Sequence, residues 1–158
     1  VANTQSMCTS FLGELMQGQH NFGTAPIRAA TTADTFKAAL YLASATINAS
    51  TTVYTTTGEV TGTNYTAGGI TVTNATAPLS TNSSATAGVG YWTPSASLVY
   101  TTVTLTTAFD TVLIYNSTQS NKAVSVHTFS SQTITAGTLT LTMPSNTTTT
   151  ALLRLATT

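Results

Sequence analysis

The side chains able to carry covalent or metal chemistry are few: Cys8, His20 and His127, with the acids Glu14, Asp34, Glu59 and Asp110. A Ser-His-Asp or Cys-His-Asp site would have to be drawn from Cys8, His20, His127, Asp34 and Asp110, which share no local spacing and have no nucleophile elbow beside them. Metal ligation by His, Cys or carboxylates at i, i+2 or i, i+4 is not written in the chain either. A lone cysteine excludes an internal disulfide, a zinc finger and a CxxC redox pair. The expectation is a non-enzymatic protein with no cofactor and no metal. His127 alternates with Val124 and Val126, which places it on the other face of its strand as a surface or interface histidine. Asp110, opening a strand, is expected to cap a turn or pair with Lys122 across a hairpin, a contact worth at most ~1 kcal/mol.

Four of the ten glycines fall in "GEVTGTNYTAGGITV", residues 58 to 72. A phosphate cradle needs strand, glycine loop and helix, usually with a lysine. Here no lysine is near and the stretch runs into the alternating "ITVTN". Positive-φ corners and bulges in a β-structure are the expected role of these glycines.

Only 5% of the chain is charged, and the net charge is zero. A soluble domain has about 25% charged residues. Serine and threonine, about a third of the sequence, cover the surface instead. Threonine is β-branched, favours strands and tolerates water. With so little repulsion between copies, much of the surface is expected to be covered by neighbours. The four scattered cations exclude a phosphate-neutralising patch, so no nucleic-acid partner is expected. No apolar run approaches the roughly 20 residues of a membrane span, and "SFLGELMQG" lacks the features of a signal peptide. Six Asn-x-Ser/Thr sequons, at Asn48, Asn64, Asn74, Asn82, Asn116 and Asn146, are a modest excess over chance in so Ser/Thr-rich a chain.

The elements that would hold these residues are mostly strands. Met7, Phe11, Leu12, Leu15 and Met16 recur at helical spacing before Gly18, predicting a short N-terminal helix or arm. "DTFKAALYLAS" alternates with period two, and a short strand is possible near Val53 and Tyr54. A Thr/Ser/Asn/Gly loop from 75 to 90 then leads to "YWTP", with Trp92 expected in the core. Strands follow at 97–105, 109–116, 122–129 and 137–143, with "QTIT" leading into the last and "ALLRLA" closing a sheet. "YNSTQSNK" and "TITAGTL" supply turn residues. The predicted fold is all-β, an antiparallel β-sandwich of jelly-roll or Ig-like type. Residues 1–33 form the arm and 34–158 the sandwich domain. The recurring Thr-x-Thr units could order water as ice-binding faces do, but they also fit the uncharged outer face of a sandwich.

"TFKAALYLASATI", "GEVTGTNYTAGGITV", "YWTP", "TAFDTVLIYN", "TITAGTLTLTMP" and "ALLRL" together resemble a family of small β-sandwich proteins encoded in tailed-phage genomes. That family has an aromatic-Lys/Arg-x-Ala-Leu strand, a GY-TAGG turn and an A-x-L-Y strand in this order. The resemblance covers about residues 34 to 156 and leaves residues 1 to 33 outside. It implies a virion structural protein, foremost a capsid decoration (cement) subunit on the particle surface, and brings no catalytic residues. The partners implied are the major capsid protein or other virion proteins, and copies of itself. The residues expected to dock are Met7, Phe11, Leu12, Leu15 and Met16 of the terminal stripe, with Tyr91 beside the long loop. Two alternatives are a head-to-tail or tail component and a module binding host-surface glycans through the 75–90 loop and Tyr91.

Overall fold

The computed structural model describes residues 3–8, 10, 11, 15, 18–22, 33–73, 77–81 and 88–156. Among them are strands β1 (Ser6–Met7), β2 (Phe36–Leu42), β3 (Ile70–Thr71), β4 (Leu79–Ser80), β5 (Val89–Trp92), β6 (Leu98–Asn116), β7 (Lys122–Leu141) and β8 (Leu153–Ala156). They form two antiparallel sheets, β1-β7-β6-β2-β3 and β4-β5-β8. The all-β sandwich expected from the period-two alternation is what forms.

The long hairpin β6–β7 is its spine. The strands predicted at 97–105 and 109–116 are one strand, as are those predicted from 122 to 143, because no proline or turn interrupts them. Register shifts along the pair absorb the irregularities instead. Thr102 (φ 53°) and Ala136 (φ 47°) take left-handed backbone near these shifts. "TITAGTL" is therefore a bulged strand rather than a turn. "YNSTQSNK" does reverse the chain, with Ser120 (φ 52°) and Asn121 (φ 58°) in the left-handed region.

β2 lies between β6 and β3, and Phe36, Ala38, Ala39, Leu40 and Tyr41 are all 0% exposed. Both of its faces are covered. The Phe36 side packs against Phe22 (rings stacked at 4.4 Å) and Trp92 (6.1 Å). Trp92 is in the core, as its sequence context predicts.

The other face of β2, with Lys37, Ala39 and Tyr41, is closed by the glycine-rich stretch. Residues 58–60 pair with the free edge of β2 through Leu42 N–H to Gly58 O (2.9 Å) and Val60 N–H to Leu40 O (3.0 Å). The chain then leaves the edge and returns at β3, whose continuation donates Val72 N–H to Phe36 O (2.8 Å). Gly58, Gly68 and Gly69 have positive φ, as expected of corners. Gly62 does not, and is needed for space, since a Cβ there would lie 2.0 Å from Thr104 O.

The N-terminal residues are not a free arm. β1 extends the large sheet through Ser6↔Val126 and Met7↔Ser125, and Cys8 (0% exposed), Phe11 (2%), His20 and Phe22 are buried in the common core. Cys8, Phe11 and Phe22, from before residue 33, thus share a core with the strands that follow it. Nor is a helix seen as an element from 7 to 17: Met7 is in a strand, Ser10, Phe11 and Leu15 have helical backbone, and the intervening residues, except Cys8, lie outside those described.

Candidate functional site

The residues weighed for chemistry are built into separate structural networks. Asn116, 0% exposed, donates through Nδ2 to Asp34 Oδ2 (2.6 Å) and lies 3.1 Å from His20 Nδ1. Its Oδ1 accepts the Thr118 and Gln119 amides, so it ties the β6–β7 turn to residues 20 and 34. This buried position also removes Asn116 as a glycan acceptor. His20 packs edge-on against Phe11 at 4.9 Å. Asp110 accepts from Asn3 Nδ2 (2.9 Å) and Thr111 Oγ1 (2.7 Å). The expected Asp110–Lys122 pair does not form, because the register places Lys122 opposite Asn116. Among the described residues no group of three His, Cys, Asp or Glu converges.

Glu59, 6% exposed, is the hub of a network that residue spacing did not reveal. Its Oε1 accepts from the Tyr65 hydroxyl and the Gly68 amide, both at 2.7 Å, and its Oε2 accepts from the Tyr54 hydroxyl at 2.6 Å. Tyr65 also accepts the Leu40 amide (3.0 Å), Tyr100 donates to Ala38 O (2.8 Å), and Tyr115 donates to Gly68 O (2.8 Å). Phenols thus supply partners that a neighbouring strand would otherwise give to β2, as buried main-chain groups require. Burial, reinforced by the Glu59 charge, raises the hydroxyl pKa of Tyr41, Tyr54, Tyr65 and Tyr100 well above 10, and that of Tyr115 to about 12. The signal in the sequence is one acid flanked by Tyr54 and Tyr65 in a chain almost without acids, and it has no periodicity. This network is a clamp holding a loop onto a sheet, with every donor committed.

Four of the six docking candidates lie together. Met7, Phe11, Leu15 and Tyr91 line one cavity of about 130 Å³ whose walls are apolar, with Phe22 and Trp92 also in its lining. Leu79 (50% exposed) and Leu155 (44%) form exposed parts of its wall, and neither was singled out by the sequence reading. An isolated leucine in the polar stretch around 79 is the signal that could have found the first. Phe11 supports this cavity from the core, while Met7, Leu15 and Tyr91 are partly exposed. Leu12 and Met16 lie outside the described residues, as do 75, 76 and 82–87 of the expected long loop.

A second cleft lies at the seam where β1, the outer strand of the large sheet, meets β8, the outer strand of the small one. It measures about 280 Å³ and is lined by Gln5, Ser6, Ser125, His127 and Arg154 among others. His127 faces this seam and is partly buried, rather than lying on the open surface. Its Nε2 is 2.9 Å from Ser125 Oγ, and burial lowers the ring pKa to about 4. Arg154 donates through Nε to Thr148 O at 2.6 Å.

The fold is an antiparallel two-sheet β-protein, and its described clefts include an apolar one and a mixed one at the seam of the sheets. No family model, no curated protein and no solved structure matches the chain.

Proposed function

We propose that this protein is a non-enzymatic structural subunit of a tailed-phage particle, foremost a capsid decoration subunit that binds and stabilises the shell. The observation that carries the reading is the convergence of Met7, Leu15, Leu79, Tyr91 and Leu155, from separate stretches of the chain, on one partly exposed apolar cleft. Such a cleft in a charge-poor, threonine-rich surface favours burial against other protein. Many copies of a modest contact, repeated by symmetry, then reinforce a shell. The apolar walls around Tyr91 offer few of the polar partners a sugar needs, which favours a protein partner over a glycan.

The test is the copy number of this chain relative to the major capsid protein, by quantitative mass spectrometry of purified particles. A simple large fraction supports decoration, about a dozen copies would move the protein to the neck or tail, and absence from particles would overturn the reading.

A further inference from the structure

We infer that the seam cleft between β1 and β8 binds a carboxylate, carried by an acidic side chain of another polypeptide, with Arg154 as its principal ligand. Arg154 is anchored by one bond, Nε to Thr148 O, and its two terminal nitrogens have no hydrogen-bond or ion-pair partner among the described residues. Guanidinium held by its Nε presents the remaining N–H groups as a fork that matches the two oxygens of a carboxylate. The described carboxylates are engaged elsewhere: Asp34 by Asn116 and Asn21, Glu59 by Tyr54 and Tyr65, Asp110 by Asn3 and Thr111. None of them lines this cleft.

The rest of the lining is mixed, with Val126, Ala151 and Leu153 apolar and Gln5, Ser6 and His127 polar. Ser125, 1% exposed, has its hydroxyl bonded to His127 Nε2, and the Ser6 hydroxyl of β1 donates to Thr4 O at 3.4 Å. Gln5 uses its carbonyl oxygen toward Thr128, which leaves its amide N–H groups as donors at the rim. The cleft thus combines the Arg154 guanidinium with the neutral Gln5 amide, donors that take up a carboxylate without further charge.

The source of the carboxylate follows from what adjoins the cleft. Met7 and Leu153 line both this cleft and the apolar cavity beside it. A ligand pairing an acidic side chain with a neighbouring apolar one would fill both, which a polypeptide does and a small free acid does not. The inference does not rest on the virion reading, and the copy number in particles leaves it unchanged.

The experiment is a titration of the full chain followed by backbone amide NMR. The probes are acetyl-Leu-Glu-amide, its Leu-Gln counterpart, and acetate. The Leu-Glu probe is expected to shift the amides of Ser6, Ser125, His127 and Arg154 saturably. The Leu-Gln probe should bind at least about tenfold more weakly, the loss of roughly one charge-assisted contact. Arg154→Gln should abolish the preference for Glu while leaving the remaining spectrum in place, and Arg154→Lys should retain only part of it. Acetate shifting the same amides as strongly as the dipeptide would keep the carboxylate chemistry but overturn the polypeptide source. Equal binding of the Glu and Gln probes, no saturable shift with any probe, or a Glu preference that survives Arg154→Gln would overturn the site.

Discussion

The Tyr65 hydroxyl donates to Glu59 Oε1 at 2.7 Å while accepting the Leu40 amide at 3.0 Å, so one phenol joins a buried carboxylate to the edge of β2. Removing the carboxylate leaves the Tyr54 and Tyr65 hydroxyls and the Gly68 amide without their acceptor. Glu59→Gln turns an amide N–H₂ toward donors and is expected to cost about 2–3 kcal/mol, and Glu59→Leu about 3–5 kcal/mol. Urea unfolding measures both. A double-mutant cycle with Tyr65→Phe should show a coupling above about 0.5 kcal/mol, and additive effects would contradict a shared network.

The same cluster makes the fold sensitive to alkali. Tyr41 and Tyr100 are buried, and their hydroxyls hold protons in the folded chain at pH values where an unfolded tyrosine releases them. Above pH ~10 the unfolded state therefore binds fewer protons, and stability falls as pH rises, by about 1.4 kcal/mol per pH unit for each such group. Phenolate absorbance of the buried tyrosines should rise together with the loss of far-UV circular dichroism. Ionisation well before unfolding would show that they are reachable in the fold.

Two glycines with nearly the same φ should respond differently to alanine. Gly69 (φ +71°) would place a Cβ 1.7 Å from Ala38 O, whereas a Cβ at Gly18 (φ +68°) would meet nothing within 4 Å among the described residues. Gly18→Ala is expected to cost only the left-handed backbone penalty of roughly 1–2 kcal/mol. Gly69→Ala adds a backbone collision and should cost several times as much, or prevent folding. Thermal melts of the two variants decide whether close approach to β2, rather than φ alone, fixes glycine at 69.

His127 sets a loss of stability on the acid side. Its pKa is about 4 in the fold, against about 6.5 in an unfolded chain. Above pH 6.5 the residue is neutral in both states and has no effect. Between 6.5 and 4 the unfolded state takes up the proton first, so stability declines as pH falls, by a sum approaching ~3 kcal/mol at pH 4. Carboxylates titrate in the lower part of this window. The quantity to measure is therefore the difference between the native chain and His127→Gln, which should lack this decline.

Phe11 and Leu155 both line the apolar cavity, yet only one is a free contact. Phe11→Ala removes a core ring and should destabilise by about 3–5 kcal/mol. Leu155→Ser, at a position 44% exposed, should change stability by no more than about 0.5 kcal/mol. If the cavity is a docking surface, Leu155→Ser should nevertheless weaken attachment to particles in a co-sedimentation assay. Full attachment by this variant would count against the cleft.

Much of the fold was legible because alternation encodes burial directly. β2, β6 and β7 lie where "FKAALYL", "FDTVLIYN" and "KAVSVHTF" place them. The face of β2 bearing Ala39 and Tyr41 was not legible as core, since its cover is a polar loop whose tyrosines and glutamate satisfy one another without periodicity and reach β2 only across 25 residues, from Tyr65 to Leu40. The merging of four predicted strands into two escaped notice because Ala136 takes a turn-like backbone without ending the strand. Of the candidate site, the apolar stripe signalled Met7, Phe11 and Leu15, but Leu79, Leu155 and Arg154 join their clefts only through tertiary folding.

The pairing of Ser6 with Val126 constrains the order in which this chain can be assembled. A strand at position 6 finds its ladder only after position 126 exists, whereas the β6–β7 hairpin closes through a short turn. Closure over so long a span is entropically unfavourable and slow relative to local pairing. During synthesis Ser6 and Met7 therefore wait, with Phe11 and Phe22 near them in the chain, until residues 125 and 126 have been made. Until then that segment is open to capture by a chaperone or protease.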